Sequence, residues 1–163
     1  MLFGTGEFLY SQGMCRGWNG EILAEIRQPR GSWRALFLGA GDRVRLARPD
    51  GAPILTTVLP RETPVRDVPV EDASGTLIGT IRKRGRDFTV ENSLSVPIGD
   101  IRFDRNTHVM TDLHRHSIAL GAQRPDNAWR IDLRPGIPDT DARLFLAFVI
   151  VMDETLRRTG NGT

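Results

Sequence analysis

Ala142-Arg-Leu-Phe-Leu-Ala-Phe-Val-Ile-Val-Met152 is the stretch that decides the fold, because Arg143 is its only residue that is not apolar. A helix with apolar residues on every side is surrounded by protein or by lipid, whereas a surface helix shows one apolar stripe. Eleven residues are too few to cross a bilayer, which takes about 20. The stretch therefore predicts a helix that the rest of the chain encloses.

The sequence on both sides of this stretch predicts where the helix begins and ends. Asp139 or Thr140 is expected to accept hydrogen bonds from the first backbone N–H groups, and Asp141 complements the helix dipole. Asp153-Glu-Thr-Leu-Arg-Arg158 closes with two cations, and Gly160 follows, a pattern typical of a helix end. These signals predict a helix over residues 141–158, followed by a short tail over residues 159–163.

The chain from about Gly20 to Leu133 consists of short apolar or alternating runs separated by turn residues, which predicts many short strands. In one such run Val44 and Leu46 alternate with arginines, so that one face of the strand is apolar and the other charged. Pro49-Asp50-Gly51 then supplies a tight turn, and Ile54 to Val58 forms the returning strand.

A repeat of 20 residues relates two of these hairpins. Arg66 through Arg82 aligns with Arg86 through Arg102, with coincident Arg, Asp, Val, Glu, Ile and Gly residues. The alternative is chance similarity between segments rich in strand-forming residues. A period near 20 with a turn in the middle predicts one hairpin per repeat and a meander of antiparallel strands. At roughly 11 residues per strand and turn, the chain allows about twelve strands, and closure into a barrel removes the exposed sheet edges.

Length and composition favour one mostly β domain over residues 1–163. The single cysteine, Cys15, excludes a disulfide framework and a multi-cysteine zinc site, and fits a reducing compartment. The sequence shows neither a membrane-spanning segment nor a signal pattern, so that we expect a cytoplasmic protein.

The charged residues contain one candidate binding site. All 22 cationic residues except Lys83 are arginine, and the 20 acidic residues are interspersed among them, a pattern that argues against a nucleic-acid partner. The exception is the run formed by Arg82, Lys83, Arg84 and Arg86. Because this run joins two repeats, we expect it at a hairpin tip or barrel rim, where its cations suit phosphate or an anionic membrane surface. The alternative is a solvated turn.

Three histidines lie close together in the sequence: His108, His114 and His116. On a strand, His114 and His116 point to the same face, which Asp112 would share, and this spacing is compatible with metal ligands. The alternative is a solvated strand face in a hairpin, and it is the interpretation we adopt, with no metal or other cofactor expected.

No arrangement of residues indicates catalysis. The sequence has no nucleophile elbow and no phosphate loop, and a small buried apolar position is the usual role of a residue such as Cys15. Asp153 is the one carboxylate in apolar surroundings, and we expect it to cap the barrel mouth or to pair with an arginine there. We therefore expect a protein that is not an enzyme.

Three segments carry a resemblance to a known family: Val70 to Ile81, Phe88 to Glu91, and Asp141 to Asp153. They resemble the tubby C-terminal-like superfamily, specifically its LURP-one-related and phospholipid-scramblase-like branch. The likeness covers about Gly20 to Arg158, whereas residues 1–19 match the usual start of the family poorly.

The resemblance implies a twelve-stranded antiparallel barrel threaded by a hydrophobic C-terminal helix. Tubby proteins bind phosphoinositide head groups through basic residues, and scramblases carry an acidic calcium loop beside the helix. This chain departs from the second pattern, since Asp139 and Asp141 are the only carboxylates just before Leu144. We expect a non-enzymatic module that binds anionic phospholipid, at the inner membrane face; the alternative is a protein-interaction or regulatory module with no lipid role.

Overall fold

A computed structural model describes residues 2–27, 42–60 and 65–160. A helix, α1 (Asp139–Gly160), ends this part of the chain. The strands within the described residues are, in chain order, β1 (Glu7–Ser11), β2 (Met14–Arg16), β3 (Ile22–Arg27), β4 (Asp42–Ala47), β5 (Pro53–Leu59), β6 (Asp67–Glu71), β7 (Leu77–Arg84), β8 (Asp87–Asn92), β9 (Pro97–Phe103), β10 (Thr107–Asp112), β11 (Ser117–Gln123) and β12 (Trp129–Leu133).

These strands form one closed antiparallel barrel in which each strand pairs with its neighbours in the chain. Closure comes from β1, in which Tyr10 lies opposite Trp129 of β12 on one side and Cys15 of β2 on the other. The predicted antiparallel barrel of about twelve strands is therefore confirmed. Residues 1–19, which resemble the family least, contain both β1 and β2, and with them the seam of the barrel.

The hairpin of β4 and β5 shows why these residues form strands. Val44 and Leu46 are buried while Arg43 and Arg45 are exposed, as expected for a strand with one face toward a core. Gly51 adopts a φ of 92° in the turn, a conformation that glycine adopts at little cost. The predicted turn and returning strand are confirmed.

The 20-residue repeat corresponds to the successive hairpins β6–β7 and β8–β9. Gly79 and Gly99 occupy equivalent positions in the two hairpins. A Cβ atom at Gly79 would collide with the carbonyl oxygen of Glu91, and one at Gly99 with that of Thr111. The neighbouring strand thus approaches too closely for any side chain, which gives the repeated glycine a packing role.

Helix α1 fills the barrel. Leu144 through Val151 are fully buried on every side, and the helix packs against β5, β6, β7 and β11. Arg143, the charge within the apolar stretch, is half-buried and donates a hydrogen bond from Nε to the carbonyl oxygen of Ile54 at 3.0 Å. The prediction of an enclosed helix is confirmed, and the single charge of its apolar stretch is accommodated at the barrel wall.

The helix is longer than the predicted span of 141–158. The N–H of Ala142 donates to the carbonyl of Pro138 at 3.0 Å, so that the first turn begins at Asp139. Asp139 and Thr140 therefore lie inside the first turn rather than before it, and Thr159 and Gly160, predicted as tail, extend the last turn. Within the described residues, no helix is both long enough and apolar enough to span a membrane.

An antiparallel meander places alternate hairpin turns at the same end of a barrel. The turns β6–β7, β8–β9 and β10–β11 lie at the end where α1 begins, called here the helix-start end. The turns β7–β8, β9–β10 and β11–β12 lie at the opposite end, where α1 finishes, called here the helix-exit end.

Candidate functional site

The basic run lies at the helix-exit end, at the tip of the hairpin formed by β7 and β8. Arg84 pairs with Asp87, and Gly85 and Arg86 form the two-residue turn between them. Gly85 has a φ of 62°, which suits the tight turns that join two strands. The predicted position of the basic run, at a hairpin tip on the barrel rim, is therefore confirmed.

The alternation of side chains along β7 divides the run between two faces. On the outer face, Arg82 donates from Nε to Glu91 Oε2 at 2.6 Å and from Nη1 to Asp67 Oδ2 at 3.2 Å. Arg84 Nη2 lies 3.9 Å from Glu91 Oε1. The hydrogen bond to Glu91, together with the charges of Glu91 and Asp67, raises the pKa of the Arg82 guanidinium. Because the Glu91 side chain is only 8% exposed, Arg82 serves chiefly to neutralise a buried carboxylate.

Lys83 lies on the other face of β7, directly opposite Phe88. Together with Arg86 it lines a cavity of about 520 Å³ at the helix-exit end. The predicted set of four cations therefore separates into an outer group, Arg82 and Arg84, and a cavity group, Lys83 and Arg86.

The wall of this cavity is apolar and comes from both the barrel and the helix. Its apolar lining consists of Val65, Phe88, Phe103, Met152 and Leu156. The rings of Phe88 and Phe103 meet edge to face with centroids 6.4 Å apart, and Phe88 also packs edge-on against Phe148 of α1 at 4.9 Å. These aromatic contacts hold the cavity wall against the helix.

The rim of the cavity is positively charged. Arg86, Arg105 and the half-buried Lys83 line it together with Asp104, whose carboxylate accepts a hydrogen bond from the backbone N–H of Arg105 at 2.6 Å. Among the described residues, none of the three cations forms an ion pair. The rim therefore presents two net positive charges beside an apolar wall.

A stack of rings leads from the cavity wall into the barrel. His108 lies between Phe103, at 5.2 Å between centroids, and Trp129, at 4.5 Å, with nearly parallel planes. The His108 side chain is fully buried, and neither ring nitrogen has a hydrogen-bond partner within the part of the chain that the structure describes. Burial lowers the pKa of His108 to about 4, so the ring is neutral near pH 7.

Trp129 connects this stack to the helix. Its Nε1 donates to Asp153 Oδ1 at 3.1 Å, and Asp153 Oδ2 lies 3.5 Å from Nε of Arg157. Burial raises the pKa of Asp153. The expected pairing of Asp153 with an arginine at the barrel mouth is thus confirmed. Beside it the hydroxyl of Tyr10 is buried and has no partner among the described residues; burial and the charge of Asp153 raise its pKa.

The histidine pair lies at the helix-start end, in the turn between β10 and β11. The prediction of a shared strand face is wrong, because Asp112 Oδ1 accepts the backbone N–H groups of His114 at 2.8 Å and His116 at 2.9 Å and folds them into a turn. The rings lie 6.2 Å apart, and His116 Nδ1 is 3.5 Å from Asp112 Oδ2. These backbone donors lower the pKa of Asp112.

Two further features bear on the histidines. His108, close to this pair in sequence, lies buried toward the opposite end of the barrel. Across residues 2–27, 42–60 and 65–160, no three histidine, cysteine or carboxylate side chains come together as a metal site.

Arg105 and Leu156 line the cavity, but neither belongs to the basic run that the sequence pattern indicated. The meander could have indicated Arg105, because Arg105 lies in the β9–β10 turn. This turn must lie at the same end of the barrel as the β7–β8 turn, which carries the basic run. Predicting Leu156 would have required knowing that the helical turn after the apolar stretch packs against the same hairpins.

Comparison with solved structures finds one match that agrees with this architecture. The X-ray structure of a protein from Arabidopsis thaliana, AT5G01750, superimposes with a TM-score of 0.63 over 93% of this chain and 90% of that chain. The two sequences are 15% identical, so the similarity concerns the fold. No protein-family model matches the chain, and no curated protein does. The chain therefore has a helix-filled barrel related in fold to that of a plant protein.

Proposed function

We propose that this protein is a non-enzymatic module that binds anionic lipid surfaces through its helix-exit end. The observation that carries the proposal is the position of Lys83, Arg86 and Arg105, unpaired among the described residues, around an apolar cavity. A cationic rim beside apolar surface suits the boundary between lipid head groups and acyl chains.

The charge of this end supports contact with an acidic bilayer. Each lysine or arginine close to such a surface contributes about 1 kcal/mol at physiological ionic strength. Two cations at the hairpin tip therefore account for about thirtyfold in binding. Because the interaction is electrostatic, salt weakens it.

Co-sedimentation with vesicles tests the proposal. We expect the protein to sediment with phosphatidylcholine vesicles that contain phosphatidylserine, less so as salt is raised, and little with phosphatidylcholine alone. The Lys83→Ala/Arg86→Ala variant is expected to bind about thirtyfold more weakly. Arg82 is left intact, because it neutralises Glu91 within the wall.

The matched control is Arg45→Ala/Arg134→Ala, which removes two exposed positive charges away from the cavity. We expect this control to keep most of the binding. Equal recovery of the wild type and the Lys83→Ala/Arg86→Ala variant would contradict the assignment of the site.

A second candidate function, a protein-interaction module with no lipid role, is favoured by the apolar side chains at the helix-start end. Leu94 is 81% exposed, Leu113 66% and Val96 52%, and they lie in the neighbouring β8–β9 and β10–β11 turns. Exposed apolar patches commonly mark protein contacts. The simplest such interaction is self-association, and sedimentation velocity tests for it. We expect the wild type to assemble and the Leu94→Ser/Leu113→Ser variant to stay monomeric. A wild type that is monomeric at all concentrations would contradict self-association.

A further inference from the structure

We propose that the cavity at the helix-exit end binds one hydrocarbon chain of a single-chain lipid phosphate, with the phosphate on the rim formed by Lys83, Arg86 and Arg105. This inference rests on the proposed lipid-binding function and specifies its ligand. It assigns the cavity to a lipid monomer, which goes beyond contact with a membrane surface.

The size and lining of the cavity suit an apolar chain. Its volume of about 520 Å³ lies within the range of small-molecule sites, which span roughly 300–1,000 Å³. Phe88, Phe103 and Met152 are at least partly buried and offer no hydrogen bond to a polar ligand. A hydrocarbon chain has no hydrogen bonds to lose on entering such surroundings, whereas a polar ligand would give up its hydrogen bonds to water without replacing them.

The charge of the rim indicates the head group. Lys83, Arg86 and Arg105 outnumber Asp104 by two charges, and a phosphate monoester carries about −1.5 to −2 at neutral pH. Two of the three cations are arginines, whose planar guanidinium groups bind phosphate oxygens in pairs. The cations and the apolar wall line the same cavity, so that one molecule with a charged head and one chain satisfies both.

Leu156 provides the means to test the chain separately from the head group. It is 44% exposed on the last turns of α1 and lines the cavity, so that replacement by glutamine removes apolar wall without changing charge. Leu94 is the matched control, since it is an exposed leucine at the opposite end of the barrel.

Isothermal titration calorimetry with lauroyl and myristoyl lysophosphatidate tests the proposal, each lipid being kept monomeric as checked by light scattering. Each buried methylene is expected to tighten binding about fourfold, and therefore the longer lipid to bind about fifteenfold more tightly. Leu156→Gln is expected to weaken binding about tenfold, while Leu94→Gln leaves it unchanged. Glycerol phosphate, the free head group, and lysophosphatidylcholine of equal chain length are both expected to bind at least tenfold more weakly than lysophosphatidate.

The outcomes separate this inference from the proposed function. If vesicles bind but monomeric lysophosphatidate does not, or binds with a dissociation constant independent of chain length, the cavity assignment is overturned and the surface function stands. Glycerol phosphate binding as tightly as the lipids would also overturn it, because the head group alone would then account for the affinity. If the monomers bind as expected but anionic vesicles do not, the cavity assignment stands and the surface function falls.

Discussion

Trp129 donates a hydrogen bond from its indole nitrogen to Asp153 across 3.1 Å, and this bond joins strand β12 to helix α1 within the barrel. The indole is fully buried and Asp153 nearly so. An apolar helix inside an apolar barrel has few directional contacts to fix its rotation and depth. The buried hydrogen bond between Trp129 and Asp153 fixes the rotation and depth of the helix, because an indole N–H left unpaired in the core is costly.

Replacing Asp153 by alanine is expected to lower the free energy of unfolding by about 1–3 kcal/mol, because the indole N–H of Trp129 then remains buried without an acceptor. Asp153→Asn, which keeps an acceptor oxygen, is expected to cost less. Urea denaturation measures both. In a double-mutant cycle with Trp129→Phe, additive losses would show that the two side chains are not coupled.

His108 is expected to make stability depend on pH. Its pKa is about 4 in the folded protein and 6.5 when unperturbed, so that the unfolded chain binds the proton more readily. Stability is therefore full above about pH 6.5 and is lost as the pH falls toward about 4, by about 3 kcal/mol in all. Urea denaturation midpoints between pH 4 and pH 7 measure the loss.

The control for this prediction is His108→Phe, which keeps a flat ring between Phe103 and Trp129. It is expected to be at least as stable at pH 7, because no buried ring nitrogen is left without a partner, and to lose less stability in acid. Burial also raises the pKa of Asp153, but this carboxyl is common to both proteins. Parallel pH profiles for the two proteins would show that His108 contributes nothing.

The repeat glycines are expected to resist substitution. Gly79→Ala and Gly99→Ala each place a Cβ against a backbone carbonyl of the adjacent strand, and overpacking of this kind costs about 1–3 kcal/mol. Gly121→Ala is the matched control in a strand, because its Cβ would meet Phe145 at an ordinary 3.5 Å; we expect a change within about 0.5 kcal/mol. Thermal denaturation compares the three, and equal effects would refute a packing role for the repeat.

The architecture could be predicted because its determinants are local. A helix that is apolar on every face has to be enclosed, and a 20-residue repeat with a central turn has to form hairpins. Helix boundaries were less predictable, since the helix runs from Asp139 to Gly160 and so begins and ends two residues outside the span that the capping signals indicated. The seam formed by β1 and β12 joins strands from the two ends of the barrel sequence, a pairing that no local pattern specifies.

The candidate site was only partly predictable because its chemistry depends on strand pairing. Four cations in a run look equivalent in sequence, whereas alternation along β7 sends Arg82 and Lys83 to opposite faces of the wall. Glu91 lies opposite Thr80 and so shares the outer face of the β7–β8 hairpin with Arg82, a proximity that depends on the register of the two strands. His108 likewise belongs with Phe103 and Trp129 rather than with the histidines beside it in sequence.

This division of the basic run leads to the last prediction. Arg82→Ala removes the cation hydrogen-bonded to Glu91, whose side chain is 8% exposed, and leaves only Arg84 nearby, at 3.9 Å; a buried carboxylate that loses its closest partner is destabilising. The melting temperature is expected to fall by several degrees, whereas Lys83→Ala should leave it nearly unchanged, because Lys83 has no ion pair to lose among the described residues. Adding Glu91→Gln to Arg82→Ala removes the buried charge that Arg82 had neutralised and should restore most of the lost stability. If the Arg82→Ala and Lys83→Ala variants had the same melting temperature, Arg82 would not stabilise the barrel wall. Its charge would then count among those available to a ligand.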